Sequence, residues 1–416
     1  MILRLAFRSL LARRLTVALT ILSIGLSVGL FLGVEKIRTG ARASFADTIS
    51  DTDLIVGARS GSVQLLLYSV FRIGNATNNV TWKSYQDIAA RPEVDWIVPM
   101  SLGDSHKGFR VMGTTAAFFD RYRYRGGRGL EIAQGAVLGD LYDAVIGADV
   151  AATLGYAPGD PIVVAHGLAS FLSHDDQPFR VAGVLAKTGT PVDRTVIIDL
   201  EAITAIHVDW GSGARTQGPG TPADKIRAMD LTPDAITAAL VGVKSRLKIF
   251  TLQRWINDYA QEPLLAVLPG VALQELWAIV GVAGTALIAV SGMVVVTALL
   301  GMTAMILSGL DARRREMAIF RAMGARPGVI LGMLVLEAML CAALGAGLGL
   351  AFVYGGLAIG RPMIDAAWGL WLPLDPPGAA ELVVLVAVIG AAGLASLIPA
   401  IRAYRLSLAD GMMVKI

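Results

Sequence analysis

Residues Leu276–Leu310 are 35 consecutive positions without a charged side chain, roughly 52 Å of helix at ~1.5 Å per residue. A bilayer's hydrocarbon core is ~30 Å thick and takes about 20 apolar residues to cross. This run is therefore expected to span a membrane and continue beyond it as a stalk. Three more runs are long enough to cross: Leu15–Val34, about Val329–Tyr354, interrupted only by Glu337, and about Leu382–Ala400. Only a multi-spanning membrane protein accommodates four such segments. Between the first two lie about 240 residues of ordinary polarity. The whole chain of 416 residues is 55% hydrophobic and 17% charged, a balance that leaves room for one folded water-exposed domain.

Direction follows from the arginines, because basic residues beside spans stay on the cytoplasmic side. Residues 1–14 hold Arg4, Arg8, Arg13 and Arg14 with no acid, and the loop 311–328 carries five arginines against Asp311 and Glu316. The tail 401–416 has Arg402, Arg405 and Lys415 against Asp410. The loop 355–381, by contrast, sets Arg361 against acids that include Asp365 and Asp375. Both termini and the 311–328 loop are thus expected in the cytoplasm, with 35–275 and 355–381 outside. The net charge of +3 reflects these flanks, so orientation explains it and no nucleic-acid partner is called for. Residues 1–14 read as an amphipathic helix lying in the interface against membrane lipid. Ala41-Arg42-Ala43 imitates a signal cleavage site, but the preceding apolar core is too long for one, which favours an uncleaved anchor.

The outward segment reads as a domain split by an insertion. Near the first span come a strand at Asp53–Val56, a helix at Thr81–Ala90 and a strand at Val94–Pro99. Near the second span the order repeats: Ala238–Val243 as strand, Arg246–Tyr259 as helix, Pro263–Pro269 as strand. These two β-α-β halves, 35–102 and 207–275, would pair into one α+β domain. Residues 103–206 between them offer short strands at Phe109–Met112, Pro161–Val164, Phe179–Leu185 and Thr195–Leu200, with a short helix around Ala148–Leu154. That segment reads as a β-rich subdomain.

Few residues invite chemistry. The spans are rich in small residues: Gly25, Gly29 and Gly33 form consecutive G-x-x-x-G steps, and Gly345 with Gly349 repeats the spacing. Such steps fit either in-chain helix packing or a dimer seam. Glu337 is the one charged residue within the spans, a candidate for either a functional pairing or a structural hydrogen bond. The stretch Asp311–Arg326 reads as a short amphipathic helix, with Ile319, Phe320 and Met323 on one face and Arg314 and Arg321 turned away. A helix of that kind suits docking into a groove on a partner. His106, His166, His174 and His207 all fall in or beside the insertion, with Asp104, Asp175, Asp176 and Asp209 near them. Imidazoles with carboxylates can hold zinc, but no compact H-x-x-x-H or H-E-x-x-H spacing is present. They are read first as ordinary loop residues and only second as a metal set. The single Cys341 excludes an intrachain disulfide or a cysteine-based metal site. No G-x-S-x-G elbow and no G-x-x-x-x-G-K-[ST] loop occurs, so the chain is expected to be no enzyme.

RRREMAIFRAMGARPGVI, the closing IPAIRAYRLSLADGM and the basic opening LRLAFRSLLARR carry a wider pattern. The chain resembles the FtsX-like permease family, the membrane subunits of MacB-type and LolC/LolE-type ABC transporters (type VII). FRVMGTTAAFF, VIGADVAATLGYAPGDPI and FRVAGVL are similar to that family's β-rich Sabre subdomain, and the flanking halves to its Porter partner. The resemblance implies four transmembrane helices in a bacterial inner membrane and an α+β extracytoplasmic domain. It implies a second permease copy, as homodimer or heterodimer, a separate cytoplasmic ABC ATPase holding ATP and Mg, and in its efflux branch a periplasmic adaptor. The chain itself would bind no cofactor. Arg313, Arg314, Arg315, Glu316, Ile319, Phe320, Arg321 and Met323 would form the helix coupled to the ATPase. The expected role is mechanical transmission across the membrane, of the efflux or lipoprotein-release type. The alternatives are a regulator of an extracytoplasmic enzyme, as FtsX-type proteins are, or a metal-linked transport permease.

Overall fold

Among the described residues, four helices are long and apolar enough to cross a membrane. They are α1 (Arg14–Ala46), α7 (Pro269–Ala322), α8 (Pro327–Trp368) and α9 (Ala379–Arg405). The computed structural model describes residues 13–167, 174, 177–211, 214–215, 220–368 and 372–405. Residues 1–12 of the expected interfacial helix, and 406–416 of the tail, lie outside the described residues. The chain divides into two units: residues 1–40, 281–362 and 372–416 in one, residues 41–280 and 363–371 in the other.

Two helices run further than their apolar stretches. The expected separate helix over 311–326 is instead the last part of α7, which continues unbroken to Ala322. The reason is local. Nothing from Gly270 to Ala322 breaks a helix as proline does, and the segment after Leu310 consists largely of alanine, arginine, methionine and glutamate, all good helix formers. The first effective stop is Gly324, whose φ of +91° suits a residue without a Cβ. Pro327 then opens α8, where its fixed φ and missing N–H cost nothing. Likewise α8 passes through Pro362 to Trp368, so much of the expected outer loop 355–381 is helical.

In the second unit, eleven strands form one mixed sheet. They are β1 (Leu54–Ala58), β2 (Val94–His106), β3 (Phe109–Thr114), β4 (Ile132–Gly135), β5 (Asp143–Ile146), β6 (Pro161–Ile162), β7 (Ala165–His166), β8 (Phe179–Leu185), β9 (Thr195–Asp199), β10 (Ala238–Val243) and β11 (Leu264–Val267). The order is β11-β1-β10-β2-β3-β9-β5-β8-β4, with β7 paired to β2 and β6 to β8. The first four strands interleave the two sequence halves: β1 lies between β10 and β11, antiparallel to both, and β10 lies between β1 and β2. This is a split β-α-β pattern, with α3 (Trp82–Ala89) and α6 (Ile249–Asn257) as its crossovers. The sheet then continues without a gap through β3 and its parallel partner β9 into the strands of residues 109–199. The expected boundary at 102/103 falls within β2.

Both faces are covered, which explains why the strands read as apolar runs rather than clean alternation. Leu54, Val56, Ala239, Val241, Leu264 and Ala266 pack with Ile88 of α3 and with Leu252 and Ile256 of α6. Ile55, Ala238, Leu240 and Val267 face the other way, onto Leu65, Leu66 and Tyr68 of α2 (Ser62–Ser69). Further along, Val111, Ala144, Ile146, Val196 and Ile198 pack with Val150 of α4 (Ala148–Leu154) and Ala202 of α5 (Leu200–Ala205).

The connection from β8 to β9 is organised by Asp193, whose side chain is wholly buried. It accepts hydrogen bonds from Thr188 N (2.8 Å), Thr188 Oγ1 (2.7 Å) and Gly189 N (2.6 Å). Burial pushes its carboxyl above the usual range, opposed by these bonds and by Lys187. Gly147 allows this turn to approach β5, since a Cβ there would stand 2.3 Å from the carbonyl oxygens of Val192 and Asp193.

Candidate functional site

The end of α7 presents apolar side chains to solvent. Ile319 is 51% exposed, and Met323, just past the end of α7, is 71% exposed; Met323 N donates to Ile319 O at 3.0 Å, which sets the two on the same side. Met317 points inward and is buried, as is Ile330 at the start of α8. Arg321 is half-buried. Of the expected coupling residues, the side chains of Arg313, Arg314, Arg315, Glu316 and Phe320 lie outside the described part. Their backbone belongs to α7.

The glycine steps meet one another. A Cβ on Gly345 would stand 2.8 Å from Ile24 Cβ and 3.1 Å from the Ile21 carbonyl. One on Gly349 would stand 2.7 Å from Gly25 O and 2.8 Å from Gly29 N, and one on Gly25 would reach Gly345 O at 3.2 Å. Gly33 has more room, with Val353 at 3.9 Å. These positions thus set α1 against α8 within the chain, backbone to backbone. Glu337 lies buried in α8, one turn before the buried Cys341.

Sequence reasoning missed a polar clamp that ties the same helices together. Lys36 of α1 donates to Glu381 Oε1 and to the Tyr354 hydroxyl, both at 3.3 Å, and Tyr354 donates to Glu381 Oε2 at 2.8 Å. Glu381 also accepts from Gly378 N at 3.1 Å. Its one legible sign is an acid in the first turn of α9, just ahead of an uncharged span.

Three of the four histidines converge. His166, His174 and His207 each offer a ring nitrogen, and these nitrogens lie within 4.8 Å of one another. Asp104 Oδ1 is 3.4 Å from His166 Nδ1, and the Trp210 ring, also missed from sequence, is 4.7 Å from both His166 and His174. His106 stands apart: Nδ1 contacts Val163 O at 2.6 Å and Nε2 the Tyr156 hydroxyl at 3.0 Å. Burial holds its pKa below the usual imidazole value. Asp209 instead accepts from Thr221 N and Oγ1, at 2.7 and 2.6 Å. Asp175 and Asp176 lie outside the described residues.

Two family models match. Residues 17–240 fit the MacB-like periplasmic core domain, and residues 288–408 fit the FtsX-like permease C-terminal region. Among solved structures, the periplasmic region of MacB from Actinobacillus actinomycetemcomitans is similar at 12% identity and a TM-score of 0.36, covering 55% of this chain and 94% of that one. The extracellular domain of the noncanonic ABC-type transporter YknZ from Gram-positive bacteria is similar at 12% identity and a TM-score of 0.30, covering 52% and 99%. No curated protein matches. The assignment rests on the two domain models, the first of which matches more than half of the chain. The chain belongs to the FtsX/MacB-like permeases of type VII ABC transporters, membrane components with a periplasmic domain whose ATPase is a partner protein.

Proposed function

We propose that this permease carries ATP-driven motion from a cytoplasmic ATPase to its periplasmic domain, doing work there of the efflux or lipoprotein-release type. The observation that carries this reading is α7, a single helix of 54 residues, about 81 Å at ~1.5 Å per residue. A continuous helix is suited to passing a displacement from one end to the other. The spans offer a hydrophilic cargo few groups to follow: Glu337 is the one charged residue of the four apolar runs, and it is buried. A conduit needs polar groups lining it, so the work is assigned to the periplasmic side.

In this reading a second permease copy completes the membrane unit, and the ATPase binds ATP and Mg. Ile319 and Met323 then insert into a groove on the ATPase, which is why they are exposed in the chain alone. The test is the double variant Ile319→Asp with Met323→Asp, assayed with the partner ATPase in lipid vesicles. Stimulation of ATP turnover by the permease is expected to fall about tenfold, some 1.4 kcal/mol of coupling. The variant's own melting midpoint should not move, because both side chains are largely exposed in the chain. Unchanged stimulation would remove this surface from the coupling path.

A further inference from the structure

We infer that His166, His174 and His207 form a binding site for a zinc-class divalent cation in the periplasmic domain. The site is assembled from three separate places in the fold. His166 ends β7, whose antiparallel pairing with β2 places it directly opposite Asp104. The backbone N–H of His174 donates to Val164 O at 2.8 Å, which docks that residue beside the same strand region. His207 follows the last turn of α5.

Geometry favours a metal over a mere aromatic cluster. His207 Nε2 and His166 Nδ1 are 3.4 Å apart. Two nitrogens each bound at ~2.0–2.1 Å to a tetrahedral zinc stand about 3.3 Å apart. His207 Nδ1 contacts Ile203 O at 2.5 Å, one turn back along α5. That contact places the ring proton on Nδ1 and leaves Nε2, with its lone pair, turned to the other histidines, the orientation a backbone carbonyl typically imposes on a metal-bound imidazole. His174 is fully buried, and the ring centroids of the three histidines lie 4.5, 4.7 and 5.1 Å apart.

Asp104, almost wholly buried, stands beside His166 and supplies negative charge for a cation. Trp210 forms an apolar wall on two of the rings. Imidazole nitrogens with one nearby carboxylate select zinc, cobalt or nickel and discriminate against magnesium and calcium. Bound metal would staple β7, residue 174 and the end of α5 to one another.

The experiment uses full-length, tag-free protein in detergent, stripped with a chelator and titrated with zinc. One zinc per chain at micromolar affinity or tighter is expected, with a rise in melting midpoint and no response to millimolar magnesium. In His166→Gln with His207→Gln the affinity should fall at least about a hundredfold, as removal of two ligands requires. The control His106→Gln should bind as the parent does. Equal zinc binding by the parent and the double variant would overturn the assignment, and so would a parent that takes up no zinc. Should the double variant fail to fold, cobalt added to the parent decides the matter. Intense visible bands of a tetrahedral nitrogen-rich site support the assignment, and the weak spectrum of hydrated cobalt overturns it.

Discussion

Gly349→Val is expected to lower the melting midpoint of the detergent-solubilised permease by roughly 10 °C or more, and to cut its yield from membranes. The cause is steric. Even the first carbon of a side chain at 349 would stand 2.7 Å from Gly25 O and 2.8 Å from Gly29 N. These are backbone atoms, so no rotamer change relieves the clash, and α1 must move away from α8. Overpacking a tight contact costs about 1–3 kcal/mol and sometimes more. Two backbone clashes at one position place this variant at or above the top of that range. In membranes, where close packing replaces water-driven burial as the force between helices, the loss has little to offset it. Gly347→Val is the matched control: it lies on the same helix, and a Cβ there would meet nothing within 4 Å. Its midpoint should move by no more than about a degree or two. Equal effects from the two would mean that the α1–α8 contact is not what holds these spans.

Asp193→Ala is the second large effect, and it acts on the other unit. The substitution strips Thr188 N and Gly189 N of their acceptor in a place closed to solvent, and takes one partner from Thr188 Oγ1, which keeps Thr190 Oγ1 at 2.7 Å. Each buried donor left without a partner costs about 1–3 kcal/mol. Partial relaxation and entry of water reduce the sum, so an overall loss of about 3 kcal/mol is expected. For a domain of this size that is a fall of roughly 10 °C in midpoint. Asp193→Asn should lose nearly as much, because an amide has one acceptor oxygen where the turn presents three donors to two. A scan of both variants beside the parent checks this. Asp193→Asn matching the parent would show that volume, not acceptance, is what the turn requires.

The elements with a strong local signal were legible in the sequence. Uncharged length marks the four spans, and β8 and β10 occur at Phe179–Leu185 and Ala238–Val243 as their apolar runs indicate. The exposed pair Ile319 and Met323 was legible as one face of a helix, but that helix is the end of α7 rather than an element of its own. Punctuation residues misled where context overrode them, as at Pro362, which α8 passes through. What a sequence hides is contact between distant positions. A G-x-x-x-G step reads the same whether its partner is in the chain or in a second copy; only the approach of Gly349 to Gly25 O distinguishes them. Lys36, Tyr354 and Glu381 belong to three helices, so no window contains their clamp. The histidines lack any motif spacing because the pairing of β7 with β2, and the length of α5, bring them together across 41 residues of chain.

Mechanical transmission requires the periplasmic domain to move when nucleotide acts on the far side of the membrane. Leu247, 91% exposed, accepts a spin label as Leu247→Cys once the buried Cys341 is replaced by alanine. With the permease copies and their ATPase reconstituted in lipid, the distance between the two labels should shift by several ångströms between the nucleotide-free and ATP-bound states. The Ile319→Asp, Met323→Asp background should abolish that shift. A label separation that stays the same with and without ATP, in an assembly that hydrolyses it, would contradict mechanical transmission.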